Sequence, residues 1–299
     1  LTIRGNSIAV ITDGSSVAGQ GDLGPLAALP SAEAKVMYLR EMAGIDGFPL
    51  PLTVRDTDEI TNVVTKIVSV FAGVHLTDMA APRCVEVQAA LASTLDIPVL
   101  HDDQDGIAVA VLAGLINGLG LAGTAIADAT VVVSGREPAA SATARLLDAA
   151  GVGQVVSTEG DLGSVLAGAH AFVGFDGPPV SASDIGAMAP GAVVFALGTP
   201  AEAGTAAVFA TDGADLPNQI TAALAYPGIW RGALDCRAHR IDDAMLLAAA
   251  HAIAATAGNV AADNVVPSVL NATLVPNIAR AVREAAETSG AARLAGVTA

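Results

Sequence analysis

A run of acidic side chains follows a short apolar stretch in the first part of the chain. Residues 97–101 read IPVLH, and Asp102, Asp103 and Asp105 come directly after them. Carboxylate oxygens are the ligands that hard divalent cations such as Mg²⁺ and Mn²⁺ prefer. Acidic residues in this place are also typical of helix N-termini, where the helix dipole stabilises negative charge. The cluster therefore predicts a cation site, a capped helix, or both.

Other residue types that serve in catalysis show no such grouping. The five histidines lack metal-ligand spacing, and Cys84 and Cys236 are far apart without a CxxC pattern. We therefore expect histidines with structural or surface roles, and reduced thiols in a cytoplasmic protein. The sequence contains no GxSxG elbow, no Walker loop and no HExxH helix.

Apolar strands alternate with helical stretches in the first part of the chain. Strands are predicted over residues 6–12, 46–54, 72–76 and 97–101, with helical spacing of apolar residues between them. The first of these helices is predicted to end at Gly44, and the second, within residues 56–71, is predicted to open with an Asp56/Thr57 cap. Strands that alternate with helices favour a parallel α/β sheet.

The same alternation returns in the second part. A helix over residues 107–121 precedes the strand TVVVSG, and further short strands and helices follow. This doubly wound pattern is typical of Rossmann-type dinucleotide-binding domains. We predict an α/β domain over 1–104, a Rossmann-type domain over 105–258 and a helical segment over 259–299 that packs back on the body.

The composition excludes several classes of partner. A net charge of −16 over 299 residues repels nucleic acid and anionic membrane surfaces. Residues 107–127 carry no charge and are long enough to cross a bilayer. Four glycines and Asn117 interrupt this run, so we interpret it as a buried helix followed by a turn. No basic segment opens the chain, and no signal peptide is predicted.

Four segments carry a resemblance to a known family. DLGPLAALP (22–30), APRC (81–84), IPVLHDDQ (97–104) and the stretch 217–245 resemble the malic enzymes, and the resemblance extends over roughly residues 3–257. It implies oxidative decarboxylation of malate, or of a related small 2-hydroxy acid, at a divalent metal with NAD or NADP. It also implies a homodimer or a higher homo-oligomer.

The resemblance implies a catalytic base at Lys35. The chain has only two lysines, Lys35 and Lys66, against twelve arginines, so a lysine on a family motif is notable. A base acting on the substrate hydroxyl must be uncharged, which burial and a nearby cation favour by lowering the pKa of the amine. The alternative is a surface lysine on a helix.

The resemblance also implies a metal site. The family's Glu-Asp pair corresponds to Thr77 and Asp78, and its third ligand to Asp103, with Asp102 retained as part of the catalytic apparatus. Thr77 replaces a carboxylate with a neutral hydroxyl, so affinity for Mg²⁺ or Mn²⁺ should fall. Asp105, where the family has His or Gln, could return the lost charge.

The expected dinucleotide turn departs from the family pattern. Gly135 keeps the first glycine position, but Glu137 holds the second, and Pro138 removes a backbone N–H from the helix start. Arg136 offers a counter-charge, and Glu159 lies at a plausible distance to bind the ribose. The turn therefore argues against ordinary nicotinamide binding, and a Rossmann-type domain kept for structure alone is an equal alternative.

The substrate side is altered as well. Thr199 and Ala222 stand where the family has asparagines that hold the malate carboxylates and the nicotinamide region. The resemblance places the family's tyrosine acid upstream of residue 1, and neither Tyr38 nor Tyr226 matches it; without such a segment the usual proton donor is missing unless another subunit supplies one.

Three functional hypotheses remain open. The first is a malic-enzyme-family catalyst that acts on a small carboxylate substrate. The second is a non-redox, metal-dependent 2-oxo acid decarboxylase or enol tautomerase, for which the altered turn costs nothing. The third is an inactive pseudoenzyme or partner subunit.

Overall fold

A computed structural model describes residues 2–17, 20–136, 138–160, 162–177, 179–199, 201–213 and 217–294. The chain forms two compact units. The first contains Leu1–Asp103, Tyr226–Ala248 and Val275–Ala299, and the second contains Gln104–Ala225 and Ala249–Leu274.

The first unit is built on a parallel sheet of four strands. They are β1 (Ser7–Thr12), β2 (Asp46–Pro51), β3 (Gly73–Leu76) and β4 (Val99–His101), in the spatial order β2-β1-β3-β4. Every residue of β1 and β3 is buried, as expected for central strands of a parallel sheet that is covered on both faces.

Helices α1 (Leu29–Ala43), α2 (Thr57–Ile67) and α3 (Arg83–Thr94) connect these strands. The Asp56 side chain caps α2 by accepting from two backbone N–H groups of its first turn. Helix α1 ends at Gly44, whose φ of 63° is the left-handed conformation in which glycine is favoured. Both ends agree with the sequence prediction.

The second unit holds a parallel sheet of five strands in the order β6-β5-β7-β8-β9. The strands are β5 (Thr130–Ser134), β6 (Gln154–Thr158), β7 (Ala171–Gly174), β8 (Val193–Ala196) and β9 (Val208–Thr211). Helix α4 (Ile107–Leu121) precedes β5, whereas α5 (Pro138–Ala149) and α6 (Ala182–Ala187) lie between strands of this sheet in the chain. The predicted two-domain α/β fold with a Rossmann-type second sheet is confirmed.

The remaining helices are α7 (Tyr226–Asp235), α8 (Asp243–Thr256) and α9 (Leu274–Ser289). Helix α7 packs on α9 within the first unit through two glycines: a Cβ on Gly228 would lie 2.5 Å from Ile278 Cβ, and one on Gly232 2.6 Å from a backbone oxygen of α9. Close helix packing therefore requires glycine at both positions.

Division by compactness differs from the domain bounds predicted from sequence. The break near residue 104 coincides with the predicted one, but Tyr226–Ala248 belongs with the first unit although it was assigned to the Rossmann-type domain. The packing of α7 on α9 explains this placement. The predicted bounds of 1–104, 105–258 and 259–299 remain a prediction for functional domains.

The apolar run after the acidic cluster forms a helix. Asp102–Leu121 is long and apolar enough to cross a membrane by length and composition, but 72% of that window is buried inside the protein. Its buried residues lie on all sides of α4, as in a core helix. This agrees with a buried helix rather than a membrane span.

Candidate active site

The predicted catalytic residues of the first unit lie where neighbouring strands end. Because β1, β3 and β4 are parallel, their carboxyl ends meet at one edge of the sheet. Thr77 and Asp78 follow β3, whereas Asp102 and Asp103 follow β4. The strand order thus brings together residues that are far apart in the chain.

Helix α1 brings Lys35 to the same edge. Its Nζ donates to Asp102 Oδ2 at 2.5 Å and lies 3.8 Å from Asp103 Oδ1. Burial lowers the pKa of Lys35, but the charges of Asp102, Asp103 and Asp78 outweigh it and raise that pKa above the ordinary value. These charges favour the ammonium form of Lys35, whereas the uncharged base expected beside a bound cation remains a prediction.

Asp102 is fully buried, and both of its oxygens are engaged. Oδ2 accepts from Lys35, and Oδ1 accepts from the backbone N–H of Asp103 at 3.0 Å. Burial raises the pKa of Asp102, but Lys35, His75 and His101 together lower it well below the ordinary value. Asp102 therefore stays ionised and holds Lys35 in place.

Two residues that the sequence analysis did not single out lie beside this pair. The Trp230 indole N–H, which can only donate, donates to His75 Nδ1 at 2.9 Å, so the proton of a neutral His75 is on Nε2. Nε2 lies 3.3 Å from Asp102 Oδ2. Trp230 is the single tryptophan of the chain and could have been noticed for that reason, but nothing in the sequence indicates that it contacts His75.

Asp78 and Thr77 present unused oxygens. Asp78 Oδ2 and Thr77 Oγ1 are buried and have no hydrogen-bond partner among the described residues. The backbone N–H of Asp78 donates to Asp103 Oδ2 at 3.0 Å, and its φ of 54° is the left-handed conformation. Burial, followed by repulsion from Asp103, raises the pKa of Asp78 to about 6.

These features fit a divalent cation. A cation would satisfy the orphan oxygens and relieve the repulsion that raises the pKa of Asp78. His101, Asp102 and Asp103 each offer a ligand atom, and these atoms lie within 4.8 Å of one another. The sequence analysis gave His101 no such place, although it directly precedes the acids. The ligand roles of Thr77, Asp78 and Asp103 remain predictions.

Asp105 forms an ion pair with an arginine. Within the second unit, Arg145 Nη2 donates to Asp105 Oδ1 at 2.7 Å. This ion pair neutralises the carboxylate that was expected to replace the charge lost at Thr77. A ligand role for Asp105 remains a prediction that must compete with Arg145.

Arg83 of the APRC motif has a structural task at the same sheet edge. It donates to Asp13 Oδ2 through Nε at 3.0 Å and through Nη2 at 2.7 Å, and Nη2 also donates to Ser15 Oγ at 2.7 Å. The motif thereby ties the start of α3 to the loop after β1.

The glycine turn after β5 is held by hydrogen bonds and an ion pair with other residues of this chain. Gly135 has a φ of 141°, and its N–H donates to Thr158 O at 3.1 Å. The N–H of Arg136 donates to Asp176 Oδ1 at 2.7 Å, and the Arg136 side chain lies 3.2 Å from Glu159 Oε2. A cleft of about 180 Å³ here is lined by residues that include Gly135, Ser141 and Glu159.

The described part of this turn does not fit a dinucleotide without rearrangement, because the Arg136 N–H is already held by the Asp176 carboxylate. Thr199, also predicted to bind cofactor, follows β8, and its buried Oγ1 lacks a hydrogen-bond partner among the described residues. The interpretation of Glu137 falls on a residue outside the described ranges. The cofactor roles of Gly135, Arg136, Glu159 and Thr199 therefore remain predictions.

Comparison with known proteins gives concordant matches. Residues 3–92 match the malic enzyme N-terminal domain, and residues 179–287 match the malic enzyme NAD binding domain. The glycine turn lies outside both matched ranges.

Among curated relatives, the NAD-dependent malic enzyme of Geobacillus stearothermophilus is 40% identical and is covered over 70% of its length by 98% of this chain. The bifunctional malic/malolactic enzyme of Bacillus subtilis is 35% identical, with 98% of this chain and 82% of that protein covered. These alignments extend over 333 and 335 positions, more than the length of this chain, so the relatives contain segments without a counterpart here.

Solved structures agree. The malic enzyme of Pyrococcus horikoshii superimposes with a TM-score of 0.94 at 35% identity, covering 99% of this chain and 79% of that one. The NAD-dependent malic enzyme of Thermotoga maritima gives a TM-score of 0.90 at 32% identity, covering 94% of this chain and 85% of that one. The chain belongs to the malic enzyme family, whose members use NAD or NADP.

Proposed function

We propose that this chain catalyses NAD(P)-linked oxidative decarboxylation of malate or a related small 2-hydroxy acid. The observation that carries the proposal is the ion pair between the partly buried Lys35 and the fully buried Asp102, which lies near the orphan oxygen of Asp78. A surface lysine would show neither a fully buried carboxylate partner nor three acids that bias its charge. These groups are suited to general acid-base catalysis next to a potential cation site.

Asp78 and Asp103, with the Thr77 hydroxyl, would hold Mg²⁺ or Mn²⁺. When bound, the cation supplies electrostatic stabilisation of negative charge on the substrate's 2-oxygen. The protein's own residues control the protonation of the Lys35 amine. Once the charges of Asp78 and Asp103 are neutralised, two of the interactions that raise the pKa of Lys35 are lost. After its ammonium proton has been released to solvent, Lys35 Nζ would accept the proton of the substrate hydroxyl while Asp102 keeps the amine oriented.

A second function is non-redox, metal-dependent decarboxylation of a 2-oxo acid or tautomerisation of its enol. The contact between Asp176 and the Arg136 N–H favours it, because this contact uses a donor of the dinucleotide turn. This function needs the same lysine and acids but no nicotinamide cofactor.

Activity assays on the purified protein test these proposals. We expect Mn²⁺-dependent formation of NADH or NADPH from malate, and loss of both this activity and oxaloacetate decarboxylation in Lys35→Met. Lys66→Met, which replaces the other, exposed lysine, is the matched control and should retain activity. Oxaloacetate decarboxylation without nucleotide, together with no malate oxidation, would favour the second function. If neither reaction occurs, both proposals fail and the inactive-subunit hypothesis stands.

The predicted homodimer or higher assembly and cytoplasmic location remain proposals. Light scattering on the eluting protein measures the first.

A further inference from the structure

A carboxylate of the protein itself occupies the start of the dinucleotide turn. Asp176 follows β7, which pairs in parallel with β5, so both strands deliver their carboxyl ends to the same edge of the sheet. Asp176 Oδ1 accepts from the backbone N–H of Arg136 at 2.7 Å. It also lies against the bare face of Gly135, where an added Cβ would be only 2.3 Å from that oxygen.

This contact is chemically equivalent to anion binding. Backbone N–H groups in a glycine turn before a helix attract negative charge, and dinucleotide-binding domains present them to the pyrophosphate. In this chain the Asp176 carboxylate is the anion that receives the Arg136 donor. Gly135 N–H is also used, because it donates to Thr158 O.

The neighbouring arginine does not offset the negative charge of Asp176. The Arg136 guanidinium, the cation nearest in sequence, is held by Glu159 with Nε 3.2 Å from Oε2. Glu159 also lines the small cleft at the turn. A dinucleotide that approaches the turn therefore meets two carboxylates, Asp176 and Glu159, and an arginine that is already paired.

We propose that Asp176 lowers the affinity of this domain for dinucleotides by competing with their pyrophosphate for the glycine turn. This inference rests on the proposed NAD(P)-linked function, since it concerns the affinity of that same site. Asp176 keeps the affinity for dinucleotides low, and its substitution by a neutral residue raises it. The prediction is a gain of binding from the removal of a side chain.

Two substitutions distinguish the effect of the Asp176 charge from the effect of its hydrogen bond with the Arg136 N–H. Asp176→Asn keeps an oxygen that can accept from Arg136 N–H but removes the negative charge. Asp176→Ser shortens the side chain and also frees the donor for a phosphate oxygen. The matched control is Asp148→Asn, which removes an exposed charge from the same helix that starts at the turn, about 15 Å further along its axis.

Calorimetry with ADP and adenosine on the purified full chain measures the effect. Because the negative charge that competes for the turn is removed, we expect Kd for ADP to fall roughly threefold in Asp176→Asn and roughly tenfold, about 1.4 kcal/mol, in Asp176→Ser. Adenosine, which lacks phosphates, should bind equally to all variants. The gain for ADP should shrink at high salt, because screening weakens the repulsion that was removed.

The proposal is overturned if ADP binds both variants no more tightly than wild type, or if adenosine gains as much as ADP. It is also overturned if both variants lose the wild-type melting transition, because Asp176 is then a structural cap. The Mn²⁺-dependent oxidation of malate with NAD or NADP is measured separately. Failure of that reaction removes the proposed function but leaves the order of ADP affinities unchanged.

Discussion

Replacement of Lys35 by methionine leaves the buried Asp102 without its closest counter-charge. The methionine side chain is unbranched and of similar length, so it fills much of the same space without a charge. In the wild-type protein, Lys35 Nζ lies 2.5 Å from an Asp102 carboxylate that is completely excluded from solvent. The substitution therefore creates an uncompensated buried charge rather than a cavity.

The expected loss is large for a single residue. Removal of one partner of a buried ion pair costs about 3–5 kcal/mol, because the other charge stays desolvated. Here the lower end, about 3 kcal/mol, is expected, since His75 Nε2 and the Asp103 N–H still contact Asp102. In the double variant Lys35→Met/Asp102→Asn both charges are absent, and we expect it to be about 2 kcal/mol more stable than Lys35→Met alone.

Urea unfolding at pH 7 with EDTA measures all the variants in the cation-free state. Lys66→Met, on the exposed side of α2, should change the free energy of unfolding by less than about 0.5 kcal/mol. If Lys35→Met is as stable as wild type, or if the double variant is less stable than Lys35→Met, the amine does not compensate the charge of Asp102. The account of the site then fails at its first step.

Two further substitutions test the site and its support. The pKa of Asp78 in the folded protein, about 6, lies above its ordinary value of 3.8, so its ionised form is unfavourable for folding. This penalty is absent below about pH 4, grows between pH 4 and 6 and is complete above pH 6. Without divalent cations, the free energy of unfolding of Asp78→Asn should therefore be larger than that of the wild type by about 1–3 kcal/mol at pH 7, and equal to it at pH 4. Added Mn²⁺ should stabilise only the wild type. Equal pH profiles of unfolding free energy for the two proteins contradict this. Gly73→Ala places a Cβ 2.4 Å from Trp230 Cζ3, so thermal melting should show a loss of about 1–3 kcal/mol; an unchanged melting temperature shows that the indole moves freely.

Much of the fold was predictable because its signals are local. Apolar runs bounded by turn residues marked the strands, and helical spacing with an Asp56 cap and a Gly44 end marked the helices. Helix α7 was not predicted, because its glycines make a poor local helix signal. These glycines are explained by close packing on α9, a contact between segments distant in sequence.

The charge state of Lys35 depends on neighbours that the sequence does not place. The residue type and the motif pointed to a base, and burial alone lowers the pKa of an amine. The number and nearness of its acidic neighbours decide the sign, and these depend on how β3, β4 and α1 assemble.

The sequence by itself determined the alternation of strands and helices, the family and the set of acids and lysine that could serve the chemistry. Only the tertiary structure decided which of them meet. Strand order joins Lys35 to Asp102, Trp230 to His75, and Asp176 to the turn at Gly135. The reason is physical: periodicity and capping act over a few neighbouring residues, whereas the partners of a side chain at a sheet edge depend on the pairing of strands far apart along the chain.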